Sequence, residues 1–86
     1  MIDVKRAVEI AFDNFRELYS EDNLSQVLLE EVNLDDEDNL WLVTVGFARP
    51  QTGFGAIAQA TQTRAYKTFK IDAENGDFRG ISMRKV

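Results

Sequence analysis

Eighty-six residues, 44% of them hydrophobic and 29% charged, suffice for one domain with a modest apolar core and lie far from disordered composition. The absence of cysteine and histidine excludes a disulfide framework, a thiolate or imidazole metal centre and a His-based catalytic triad. A net charge of −5 argues against nucleic acid as a partner, since phosphates require clustered Lys and Arg, and no stretch has the apolar length of a membrane-spanning helix or an export signal, so a soluble cytoplasmic domain is expected.

The chain opens with Asp3, a residue suited to an N-cap, followed by Val4, Ala7, Val8, Ala11, Phe15 and Leu18 at three- and four-residue spacing. Phe12 and Tyr19 widen this stripe, and Arg6, Glu9, Asp13, Arg16 and Ser20 fall opposite. The pattern predicts an amphipathic helix from about Asp3 to about Tyr19 whose apolar side seeks a sheet. Ser20 to Asn23 ends it, and residues 26–34, Gln-Val-Leu-Leu-Glu-Glu-Val-Asn-Leu, read as a strand with apolar residues on both faces. Asp35-Asp36-Glu37-Asp38 is a polar turn leading into residues 40–47, which are rich in β-formers, so a hairpin is expected. In this second strand Trp41, Val43, Val45 and Phe47 share one face while Leu40, Leu42 and Thr44 share the other.

From Arg49 to Thr63 the residues are small and polar, with two glycines and the only proline, which predicts a long, flexible connection. Phe54 and Ile57 are large apolar residues that such a loop does not need, and they are read as a cover for a sheet edge or face, as part of a short helix near Ala56 to Ala60, or as a contact point for a partner. A third strand is predicted over 64–72, with Ala65, Phe69 and Ile71 on one face and Tyr66, Thr68 and Lys70 on the other. Asn75-Gly76, two residues that tolerate positive φ, then marks a tight hairpin turn. The fourth strand follows over about 77–85. There Ile81 and Met83 share parity while Phe78 does not, so Gly80 is expected to mark a bulge that brings Phe78 back toward the core. The expected architecture is α+β: one N-terminal helix packed on a four-stranded antiparallel sheet within a single domain spanning 1–86.

Charge is unevenly spread, with twelve acidic and three basic residues up to Asn39 but three acidic and seven basic ones beyond it. Acidic and basic strands that neighbour each other in one sheet, or in two copies of the chain, account for such a split. Chemistry is sparse. Adjacent strand residues such as Glu30 and Glu31 are expected on opposite faces, which spoils them as an acid/base pair, and the Asp35 to Asp38 turn lacks the ligand spacing and central glycine of a calcium loop. No catalytic, cofactor-binding or metal-binding residue is assigned. With one helix covering one sheet face, Leu28, Leu40, Leu42 and Tyr66 are expected on the other, and an exposed apolar patch of this kind marks an interface unless the 49–63 loop lies across it. The candidate partner-binding residues are therefore Phe54, Ile57, Leu40, Leu42 and Tyr66.

The helix segment Ala7-Val8-Glu9-Ile10-Ala11 and the late hairpin Tyr66-x-x-Phe69-x-Ile71-Asp72-Ala73-x-x-Gly76 resemble the PepSY-type, cystatin-like arrangement. The chain is also similar to small uncharacterised bacterial proteins with a Leu-Glu-Glu-Val segment, here Leu29 to Val32, and a Trp-Leu-Val-Thr strand, here Trp41 to Thr44. The resemblance implies a helix followed by four antiparallel strands and a role in protein binding, inhibitor- or immunity-like. Cystatins block thiol proteases through a Gln-x-Val-x-Gly hairpin tip; Gln51-Thr52-Gly53-Phe54-Gly55 keeps the outer residues, has Gly for Val, and lies away from the turn between the first two strands where that tip belongs. The resulting expectation is a non-enzymatic protein-interaction or regulatory module with an unknown protein partner. The alternatives are a structural homodimer or accessory subunit and, more remotely, a small-ligand carrier or enzyme.

Overall fold

The computed structural model describes residues 1–20, 24–50 and 62–83. Helix α1 spans Val4–Leu18, and the Asp3 carboxylate accepts the Arg6 N–H at 2.8 Å, capping the first turn as expected. Ala7, Ala11 and Phe15 recur every fourth residue and are buried. The two alanines let the helix approach the sheet closely, and Phe15 supplies the bulk. Val4 and Leu18, read as part of the apolar stripe, remain 43% and 54% exposed because they lie at the first and last positions of the helix.

Four strands follow: β1 Ser25–Asp35, β2 Leu40–Pro50, β3 Gln62–Asp72 and β4 Phe78–Met83. They pair antiparallel in the order β1-β2-β3-β4, the α+β architecture expected from the residue pattern. Val43, Val45 and Phe47 of β2 and Phe69 and Ile71 of β3 are fully buried beneath α1. Phe15 knits the two layers, its ring centroid lying 5.3 Å from that of Phe47 and 6.1 Å from that of Phe69. Trp41 lies on the same side but is half-buried, and its indole N–H donates to the carbonyl of Ile2 at 3.2 Å. Lys67, opposite Val45 in the register, carries its ammonium to 5.0 Å from the Tyr19 ring centroid, where its charge meets the ring face.

The long connection is shorter than expected. β2 runs on to Pro50 and β3 begins at Gln62, the two residues pairing with each other, so only 51–61 stand between the strands. Phe54 and Ile57 fall there, outside the described residues.

The two hairpin turns use one device at the same end of the sheet. The Asp35 carboxylate accepts the N–H groups of Glu37 and Asp38, and the Asp72 carboxylate accepts those of Glu74 and Asn75. Each turn then closes with a left-handed residue four places after its Asp, Asn39 at φ 54° and Gly76 at φ 82°. Of the Asn75-Gly76 pair only Gly76 is left-handed, and the loop has five residues, 73–77, in place of a two-residue turn. The reason is Asp72, whose side chain holds the turn backbone and draws it into a wider loop. Gly80, at φ 138°, sits where the β3–β4 register shifts, so that Phe78 pairs with Ile71. Phe78 thereby returns to the helix side, its ring 6.0 Å from Phe69, although 38% of it stays exposed.

Candidate functional site: the uncovered sheet face

Among the described residues, alternation along the strands leaves one face of the sheet without a helix. The burial of Val43, Val45 and Phe47 under α1 sends Leu40, Leu42, Thr44, Gly46 and Ala48 to the opposite side, and the register places Tyr66, Thr68 and Lys70 of β3 beside them. Asn33 pairs with Leu42, Glu31 with Thr44 and Leu28 with Gly46, so these β1 residues belong to the same face. Leu40, Leu42 and Tyr66 are half-buried and Leu28 is 55% exposed. The structure thus brings together Leu40, Leu42 and Tyr66 as candidate residues, with Leu28, which the strand pattern placed beside them.

Two irregularities in β1 shape this face. Between Ser25 and Leu28 the register gains a residue at the left-handed Gln26, and between Leu29 and Glu31 it gains another at Glu30. The second bulge corrects the expectation that Glu30 and Glu31 point to opposite sides. Glu31 stands opposite Thr44, while the Glu30 carboxylate crosses β2 to meet Arg64 at 2.9 Å, so both acids lie on the uncovered face. The crossing passes directly over Gly46, where a Cβ would stand 2.7 Å from Glu30 Cγ and 2.8 Å from Arg64 Nη2. Glycine at this point is what lets the ion pair span three strands.

Arg64 also donates to the Gln26 carbonyl at 3.1 Å and lies 5.8 Å from the Tyr66 ring centroid, which anchors the bulged end of β1 to β3. Its hydrogen bond to Glu30 raises the guanidinium pKa above its ordinary value. Thr44 is 2% exposed and shares a 2.9 Å hydroxyl contact with Thr68. On this face β1 is acidic and β2 uncharged, while β3 carries Arg64 and Lys70 together with Asp72 beside Leu40 at the turn end.

Other locations offer less chemistry. At the turn end Asp72 pairs with Arg79 at 2.8 Å; that guanidinium, helped by the N–H groups of Glu74 and Asn75, holds the carboxyl below the usual range. Among the described residues no group of three or more acidic side chains is placed to hold a metal ion. A groove of about 300 Å³ runs beside Val8 and Phe12 on α1, but its lining comes from that helix alone, and Arg6–Glu9 and Arg16–Asp13 pairs flank it. Among the described residues the space between helix and sheet is filled by apolar side chains, and no buried side-chain polar atom lacks a partner.

The sequence reading missed the Glu30–Arg64 bridge, for which the one available signal was an isolated glycine, Gly46, inside a run of β-formers. No helix among the described residues is long and apolar enough to cross a membrane. Comparison with protein-family models, with curated proteins and with solved structures finds no match to this chain.

Proposed function

We propose that this chain is a non-enzymatic protein-interaction or regulatory module of the cytoplasm that engages its partner through the uncovered face of the sheet. The observation that carries this reading is the grouping of Leu28, Leu40, Leu42 and Tyr66 on the side away from α1, where a helix would otherwise cover them. Apolar side chains gathered on one surface and bordered by charge are the pattern of an interface core with its polar rim. An inhibitor- or immunity-like role is the specific form suggested by the PepSY-like residues of the helix and the last hairpin.

A photo-crosslinking side chain introduced at Tyr66, compared with the same side chain at Arg16 on the exposed side of α1, tests the proposal in cells of the native host. Protein adducts formed from position 66 and not from position 16 support it. Adducts equally frequent at both positions, or none at position 66, overturn it.

A further inference from the structure

We infer that Asn75 is a modification site, where loss of ammonia gives aspartyl and isoaspartyl forms, that the folded turn restrains this reaction, and that its isoaspartyl product loosens the turn from α1. Asn75-Gly76 is the one Asn-Gly pair in the chain, and the Asn75 side chain is exposed in the β3–β4 turn. In such a pair the backbone nitrogen of the glycine attacks the carboxamide carbon of the asparagine, because glycine has no Cβ to block the approach. A bond forms between Gly76 N and Asn75 Cγ, the carboxamide C–N bond breaks, and the Gly76 amide proton leaves with the departing nitrogen as ammonia. Water then opens the five-membered ring at either carbonyl. Opening at Cγ gives aspartate, and opening at the main-chain carbonyl gives isoaspartate, in which the backbone runs through Cβ and Cγ. Nothing is oxidised or reduced, and water is the only co-reactant.

Both reacting groups are engaged in the folded turn. The Gly76 N–H donates to the Asp72 carbonyl at 2.9 Å, so the proton that must be lost is held in a hydrogen bond that the ring form cannot make. The Asn75 carboxamide oxygen accepts the Asp77 N–H at 2.9 Å. Asp72, Glu74 and Asp77 surround the pair with carboxylates, which oppose negative charge on the attacking nitrogen. Conversion therefore waits for the turn to open, a local event that needs less free energy than global unfolding.

The product matters because this turn is where the start of α1 meets the sheet. A Cβ on Gly76 would stand 3.0 Å from Ile10 Cδ1 and 3.8 Å from Ile2 Cδ1, so the glycine backbone lies close against both side chains. The neighbouring Ala73 carbonyl accepts the Ile2 N–H at 2.8 Å, and the Ala73 N–H donates to the Asn39 carbonyl at 2.9 Å. An isoaspartyl residue lengthens the backbone by a methylene next to Gly76, which displaces the glycine from this contact. It also adds a carboxylate to an acidic turn.

The test incubates the full chain at mildly alkaline pH below its melting temperature, beside a sample unfolded in urea. Peptide mass mapping and isoaspartyl methyltransferase labelling follow position 75. The unfolded sample is expected to convert about tenfold or more faster than the folded one. Asp72→Ala, which frees the Glu74 and Asn75 N–H groups, is expected to convert faster than wild type while circular dichroism still shows a folded chain. Isoaspartyl wild type, isolated by chromatography, is expected to melt below unconverted protein, with Asn75→Asp between them because it adds the charge without the methylene. No conversion at position 75 in urea overturns the site. Equal rates in the folded and unfolded samples, or a folded Asp72→Ala no faster than wild type, overturn the restraint by the turn. An isoaspartyl chain that melts with the unconverted one overturns the loosening.

Discussion

Phe15→Ala removes the one large side chain of α1 that is buried, since the other two buried helix residues are alanines and Val8, Ile10 and Phe12 pack against the core only in part. Phe15 is 4% exposed, and its ring lies 5.1 Å from Tyr19, 5.3 Å from Phe47 and 6.1 Å from Phe69. Truncation to Ala withdraws about 100 Å² of buried apolar surface, or about 2.5 kcal/mol at 25 cal/mol per Å². If the helix backbone prevents collapse and about 50 Å³ stays empty, the cavity adds about 1.2 kcal/mol. The sum, about 3.5 to 4 kcal/mol, falls within the range of about 3 to 5 kcal/mol seen for buried Phe→Ala changes. A domain of 86 residues has a total stability of about 4 to 13 kcal/mol, so the variant loses a large share of it. At about 4 to 8 °C per kcal/mol its melting temperature should fall by at least about 15 °C. Urea unfolding followed by the fluorescence of Trp41, the single tryptophan, and by far-ultraviolet circular dichroism measures the loss. Leu18→Ala is the control: its side chain is 54% exposed, and the change should stay within about 0.5 kcal/mol. A loss below about 1 kcal/mol for Phe15→Ala would refute the docking of the helix on this face, and with it the distinction between a covered and an uncovered side.

Two glycines separate backbone strain from side-chain crowding. Gly80→Ala meets no atom within 4 Å yet must hold φ 138°, so its cost of about 1 to 3 kcal/mol should be unaffected by neighbouring substitutions. Gly46→Ala is instead expected to displace the Glu30–Arg64 pair, and a Glu30→Ala background should relieve it; equal effects of Gly46→Ala in both backgrounds would show that the bridge does not cross there. The Asp72 carboxyl titrates below its unfolded value of about 3.9, so its contribution to stability is complete above that pH and disappears as pH falls through the lower, folded value. Asp72→Asn keeps an oxygen for the Glu74 and Asn75 N–H groups but lacks the charge facing Arg79, so wild type and variant should differ most near neutral pH and converge in acid. A gap that stays constant with pH would exclude the ion pair as its cause.

Side-chain periodicity alone determined the class of this fold. Alanines and Phe15 at fourfold spacing make a helix with one apolar side, and alternation from Trp41 to Phe47 makes a strand with one face to bury, because 3.6- and two-residue repeats permit no other placement of those side chains. The Gly80 bulge was equally legible, since Phe78 and Ile81 differ in parity and glycine is the residue between them that best accepts the irregular backbone.

Only the tertiary structure decided which way the residues of β1 face. Its apolar and acidic side chains fit either side of a regular strand, and each bulge shifts the alternation by one residue, which exchanges the faces of everything beyond it. For that reason Glu30 and Glu31 came together on the uncovered side, and the ion pair between residues 30 and 64 formed across an intervening strand. Such a contact depends on register between segments distant in the chain, and local pattern carries no information about register until the strands are laid side by side.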